Sequence, residues 1–182
     1  MKRFKKKLFI LLVSALSFSI SQAESKKPNI IFIFADDWGW GDLSCHGHEL
    51  FKTPFVDQLS KEGTNFSQFY VNAAVCSPSR TSVMTGQFPA RHSVHTHFSD
   101  IKKHKGGRMP DWLDPDVVML PRLFQQAGYK TAHFGKWHLT NTAIKDAPLP
   151  TEYGYDESAV HNGPGPQVEV VPGNGARRLL KS

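Results

Sequence analysis

The sequence predicts an α/β fold, and three observations carry that prediction. The run Asn29-Ile30-Ile31-Phe32-Ile33-Phe34-Ala35 is unbroken, apolar and rich in β-branched and aromatic residues, as in a strand buried on both faces. Later stretches have helical spacing, with Pro near their starts and Gly at their ends. The segments then follow in the order strand, helix, strand, helix, helix, strand, which is α/β.

Residues 29–35 form the first expected strand, cut short by Asp36-Asp37-Trp38-Gly39. Thr53 offers an N-cap with Pro54 at the first helical position, and Gly63 closes a helix whose apolar residues are Phe55, Val56 and Leu59. Residues 66–71 read as a second strand. Pro78 can open the next helix, Gly86 can end it, and Pro89 prevents its continuation. Residues 92–116 read as a long polar excursion. A helix from Met119 to Ala127 ends at Gly128, and residues 129–134 read as a third strand. Residues 162–175 are rich in Gly and Pro and show no core element, within a tail that runs to 182. There is no internal repeat.

The N-terminus carries an export pattern. Lys2, Arg3, Lys5, Lys6 and Lys7 precede an apolar stretch from Leu8 to Ile20, and Ser21-Gln22-Ala23 supplies a small-x-small cleavage site. Residues 1–23 are therefore expected to be a signal peptide, its apolar stretch too short to span a bilayer comfortably, with no stable membrane insertion after cleavage. The type of signal points to a bacterial protein, exported to the periplasm or secreted. Removing five of the 22 basic residues leaves 17 against 16 acidic ones, a formal charge of +1. The basic balance thus belongs to the signal and gives no reason to invoke nucleic acid. Two cysteines, Cys45 and Cys76, permit one disulfide by count but no disulfide-stapled scaffold.

Polar residues of unusual type cluster just after the expected strands. Open α/β sheets bind ligands outside the carboxyl ends of their strands, so these clusters point to one edge. Asp36 and Asp37 repel each other unless a cation joins them, and hard oxygen ligands favour Ca²⁺ or Mg²⁺; an Asp pair is also common as a turn or cap. Cys76 lies at a helix N-terminus, where free N–H groups attract anions, and Arg80 adds a donor fork one turn on. A buried cysteine beside a surface arginine is the plainer alternative. Lys136 and His138 are two apart and share a strand face, whether toward a site or toward solvent. Cys45-His46-Gly47-His48 and the group His92, His95, His97 and His104 lack recurrent zinc spacing. The second group is expected to edge a substrate pocket.

The spelling of three segments narrows these alternatives. Cys76-Ser77-Pro78-Ser79-Arg80, with its continuation Thr81-Ser82-Val83-Met84-Thr85-Gly86, resembles the signature of formylglycine-dependent sulfatases. So do Pro28-Asn29-Ile30-Ile31-Phe32-Ile33-Phe34-Ala35-Asp36-Asp37 and Gly135-Lys136-Trp137-His138-Leu139, in the family's order. Thr140 departs from the pattern, since many members have Gly there. The resemblance covers roughly residues 27–165 and implies an alkaline-phosphatase-like α/β sandwich around a largely parallel or mixed sheet, of which residues 24–182 would be the N-terminal part.

By that resemblance Asp36, Asp37 and residue 76 are metal ligands, for Ca²⁺ or alternatively Mg²⁺. A formylglycine-generating enzyme is the implied partner, converting Cys76 into the nucleophile. Arg80 would hold the formylglycine hydrate, Lys136 would contact sulfate and nucleophile, and His138 would orient the hydrate or relay a proton to it. The implied reaction is hydrolysis of a sulfate ester, of a sulfated glycan or aryl sulfate. A phosphonate or phosphodiester hydrolase using the same residue, and a non-catalytic remnant, are the competing readings. In the family a second acidic ligand cluster, a further histidine and a second lysine normally lie well beyond the position of Ser182, so this chain by itself is expected to be inactive or weakly active.

Overall fold

A computed structural model describes residues 27–141, 144, 146–162, 168–171 and 178–180. The expected signal peptide lies outside the described residues. The chain divides into two compact units, residues 1–35 and residues 36–182.

In the first unit the expected strand is absent. Residues 29–35 make no ladder, and Ile31 and Ile33 are 85% and 83% exposed. A strand is completed by its neighbour's N–H and C=O groups, and an apolar run cannot supply them from its own sequence.

The second unit opens with two 3₁₀ turns, Trp40–Asp42 and Ser44–His46, followed by helix α1, Pro54–Glu62. Thr53 occupies the N-cap position but donates its hydroxyl to Asp57 at 2.7 Å instead of capping. Asp57 also accepts from Ser44 Oγ at 2.6 Å and Cys45 N at 3.0 Å, tying the preceding loop to the first turn. The expected strand at residues 66–71 is replaced by a turn at residues 67 and 68, with Phe69 and Tyr70 exposed. This segment also lacks a ladder partner among the described residues.

Helix α2 runs Cys76–Thr85, starting two residues before Pro78. Pro78 therefore sits in the first turn, where its missing N–H leaves no bond unmade. Gly86 takes φ 67° and returns its N–H to Ser82 O at 2.8 Å, a left-handed stop that a side chain would disfavour. Helix α3, Ile101–Gly106, and helix α4, Leu120–Gln126, complete the helical set.

Residues 92–116 are more than a polar excursion. They hold helix α3 and bury Val94 and Phe98 before it and Met109 and Leu113 after it. His104 is fully buried among them, its Nε2 accepting from Ser99 N at 2.9 Å. The proton is therefore on Nδ1, which faces Asp111 Oδ1 at 2.8 Å.

The sheet is mixed, in the order β1-β2-β3-β4. Strand β1 is Ala132–Lys136, and it pairs in parallel with β2, Glu157–His161, so that Lys136 lies opposite His161. Strand β1 begins later than the sequence indicates because Asp156 draws Thr131 into a loop, accepting its N–H at 2.8 Å. Strands β3, Val168–Val171, and β4, Arg178–Leu180, add antiparallel partners inside a tail expected to hold no core element. The β-branched Val168, Val170 and Val171 explain this strand amid Gly and Pro.

The core gathers around the segment after β1. Trp137 and Leu139 are buried, and Trp137 meets Tyr153 edge-on at 5.2 Å. Tyr153 in turn donates its hydroxyl to Leu113 O at 2.5 Å. Among the described residues no helix is long and apolar enough to cross a membrane.

Candidate active site

Three segments of the second unit converge. Asp36 and Asp37 come from its first residues, Cys76 and Arg80 from the first and second turns of α2, and Lys136 from the last position of β1. Sequence reasoning places Lys136 just past the strand; the ladder to His161 includes it.

Asp36 is the hub. Its Oδ1 accepts from Arg80 Nη2 at 3.0 Å, and its Oδ2 takes a short contact from Lys136 Nζ. Lys136 Nζ also lies 3.2 Å from Cys76 Sγ. Arg80, 4% exposed, donates through Nη1 to Lys136 O at 2.6 Å, so one guanidinium spans the Asp36 carboxylate and the end of β1. That carbonyl also accepts from His133 Nε2 at 3.1 Å, which puts the His133 proton on Nε2.

The electrostatics follow from this packing. Desolvation alone would raise the Asp36 carboxyl, but hydrogen bonds and charge from Lys136 and Arg80 outweigh it and hold Asp36 at about 2. Desolvation pulls Lys136 the other way, yet its bonds to Asp36 and Cys76 leave it raised. His138 is lowered to about 4, first by desolvation and then by the charges of Lys136, His97 and Arg80. It is therefore a neutral imidazole at neutral pH.

His138 lies just beyond the strand at φ 52°, and its N–H donates to Asn162 Oδ1 at 2.9 Å. Its Nδ1 is buried without a hydrogen-bond partner among the described residues, an unusual state for a polar atom. The His97 ring lies against it at 5.3 Å, tilted 16°. Sequence reasoning noted His97 only as one of a histidine group and passed over Asn162. Nothing in the sequence marks Asn162, because β2, the strand it follows, is not among the expected elements.

The other candidates are used elsewhere. His46 stacks on Trp40 at 4.2 Å and reaches Trp40 O through Nδ1 at 2.7 Å, while His48 Nδ1 accepts from Phe51 N at 2.9 Å. Cys45 and Cys76 are both free thiols. Among the described residues one group of three could hold a metal: Asp36, Asp37 and Cys76, with ligand atoms all within 4.8 Å of one another.

That donor set can be tested against a hard divalent cation. Two carboxylate oxygens suit Ca²⁺ or Mg²⁺, whereas thiol sulfur does not. The set fits once the atom at position 76 is oxygen, and the cation would still need ligands beyond these three. The formal charges of Asp36, Asp37, Arg80 and Lys136 cancel. A divalent cation would make the centre positive and complementary to an oxyanion.

With a cation bound, such a centre would suit an anionic group. The chain belongs to the sulfatase family, whose model, described as Sulfatase, matches residues 28–168. Human arylsulfatase A is 36% identical over 140 residues, covering 77% of this chain and 26% of that protein. A structure from work on glycosaminoglycan metabolism by Bacteroides thetaiotaomicron superposes with a TM-score of 0.67 at 32% identity, covering 85% of this chain and 32% of that one. Another, solved in complex with its substrate D-glucosamine-2-N,6-O-disulfate, gives a TM-score of 0.64 at 30% identity, covering 86% and 28%. The chain spans about a quarter of the length of the curated relatives it matches.

Proposed function

We propose that this chain carries the nucleophile half of a sulfate-ester hydrolase, with residue 76 acting as formylglycine. The observation that carries the reading is the Cys76 side chain at the start of α2, within 3.2 Å of Lys136 Nζ and grouped with Asp36 and Asp37. The cysteine itself is a precursor. Its sulfur stands where a hydroxyl oxygen of the aldehyde hydrate would be.

The aldehyde adds water to give a geminal diol. One hydroxyl attacks the sulfur of the ester, and the alcohol or phenol departs with its oxygen. The second hydroxyl then gives up its proton, the carbonyl reforms, and sulfate leaves with the first oxygen. A serine or an unmodified cysteine has no second hydroxyl and would stall at the sulfated stage.

The neighbouring side chains divide the work. Lys136 places positive charge beside the attacking oxygen and the sulfate. Arg80 holds Asp36 and the end of β1 in place and adds charge to the same centre. His138, neutral at neutral pH, can accept the hydrate proton. A divalent cation, Ca²⁺ or alternatively Mg²⁺, would be held by Asp36, Asp37 and the oxidised residue 76, and would supply further positive charge to the sulfate oxygens.

The substrate class is a sulfated glycan or an aryl sulfate, and the enzyme is exported, to the periplasm or beyond. The sulfated sugar in a related structure and the basic, apolar N-terminus support these two assignments. The modifying partner is a formylglycine-generating enzyme reading Cys76 to Arg80. A side-by-side assay of the expressed protein with an aryl sulfate and the matching aryl phosphonate tests the reaction type. Faster turnover of the sulfate is expected, and preference for the phosphonate would overturn the assignment.

A further inference from the structure

His138 is held by residues that lie outside the three motifs. A residue with a Cβ persists in the left-handed region, here at φ 52°, only where its surroundings hold it. The ring is not fixed through Nδ1, which is buried and unpartnered among the described residues. Two contacts hold the residue instead: the amide bond to Asn162 Oδ1 at 2.9 Å, and the His97 ring at 5.3 Å.

Both contacts come from anchored positions. The parallel register sets Lys136 opposite His161, and Trp137 N donates to His161 O at 2.8 Å, which brings Asn162 beside His138. His97 precedes Phe98, whose N–H donates to Ser77 Oγ at 3.2 Å in the first turn of α2. Ser99 is bonded in turn to the buried His104. The excursion between α2 and α4 is thus tied to the nucleophile helix on one side and covers the His138 ring on the other.

We propose that Asn162 and His97 are positioning residues for His138, Asn162 holding its backbone and His97 packing its ring. The proposal rests on the reading of His138 as the proton acceptor at the site. A ring held by packing alone at Nδ1 is free of a competing acceptor there, and a correctly aimed imidazole is worth far more than a mobile one.

Two measurements on the whole expressed protein test it, and neither needs turnover. In amide hydrogen exchange read by mass spectrometry, Asn162→Ala should speed exchange in the peptide containing His138 about tenfold or more, the scale of losing one hydrogen bond. Asn162→Asp keeps an acceptor oxygen and should restore the protection. In spectra of protein labelled at the histidine Cε1 positions, the His138 signal, assigned by its loss in His138→Gln, should move in His97→Ala. It should stay near its place in His97→Phe, which keeps a ring. An unchanged exchange rate in Asn162→Ala, or an unmoved signal in His97→Ala, would overturn the proposal.

Aryl sulfate kinetics then separate the two readings. His97→Ala should lower kcat roughly 10- to 100-fold with little change in KM, and His97→Phe should recover most of it. If the parent protein prefers the aryl phosphonate to the aryl sulfate while both spectroscopic effects appear, the positioning contacts stand and the sulfatase reading falls. Spectroscopic effects with normal His97→Ala kinetics would overturn the positioning role.

Discussion

Asp36 accepts from Lys136 and Arg80 together, and that pairing explains why a carboxylate beside a second carboxylate stays ionised. Truncating Lys136 should therefore do two things. It removes a cation from the reacting centre, and Lys136→Ala is predicted to lower kcat by about 10²- to 10³-fold, as for loss of one charge-stabilising donor. It also leaves Asp36 with Arg80 alone, so the carboxyl should titrate higher than about 2. Steady-state kinetics and a carboxyl titration check the two effects. His138 gives a pH prediction of definite sign. Its folded value of about 4 lies below the ordinary 6.5, so unfolding takes up a proton between them. Stability from keeping it neutral is complete above the ordinary value and is lost as pH falls toward about 4. Denaturant titrations at about pH 7 and about pH 4.5 should show a smaller loss in His138→Gln than in the parent.

At the scale of elements, the end of β1 and the residues just after it do structural and chemical work in alternation. Lys136 and His138 flank Trp137, which is 1% exposed and packs against Tyr153 and Tyr155. Trp137→Ala is predicted to cost roughly 3–5 kcal/mol and Trp137→Phe considerably less, measured by chemical denaturation. The helices were legible because their punctuation is local. Pro54 and Gly63 bound α1, Gly86 ends α2, and Gly128 follows α4, each within a residue or two of where its side chain or its absence requires. The strands were less legible because pairing is non-local. Residues 29–35 and 66–71 have strand composition but no ladder, whereas β3 forms within a stretch whose Gly and Pro hide it. Val94, Phe98, Met109 and Leu113 are hard to read for a related reason: two isolated apolar pairs in a polar segment are too few to establish a period. The motif residues Asp36, Asp37, Cys76, Arg80, Lys136 and His138 could be picked out because their chemistry is unusual after such segments. Asn162 could not, since its contribution is a single amide bond set by the register of two strands.

At the scale of the whole molecule, the described residues offer three ligand groups where a hard divalent cation takes six or more. Large apolar side chains such as Ile31, Phe55 and Tyr70 are also exposed. These two facts predict that the 182-residue chain by itself hydrolyses aryl sulfate far more slowly than complete sulfatases do. A chromogenic aryl sulfate assay checks this, and rates near those of complete enzymes would contradict it. Where activity is found, removing divalent cations with a chelator should abolish it, and adding back Ca²⁺ or Mg²⁺ should restore it.

The central claim is that position 76 carries an aldehyde. Ser77 and Arg80 are buried in the folded unit, so the modifying enzyme must meet the motif before folding, and the protein should be made in a host that contains that enzyme. The mass of the peptide spanning Cys76 then decides the matter. The prediction is a species that has lost one sulfur and two hydrogens and gained one oxygen, reactive toward a hydrazine probe. A peptide carrying only the intact thiol, from such a host, would contradict it.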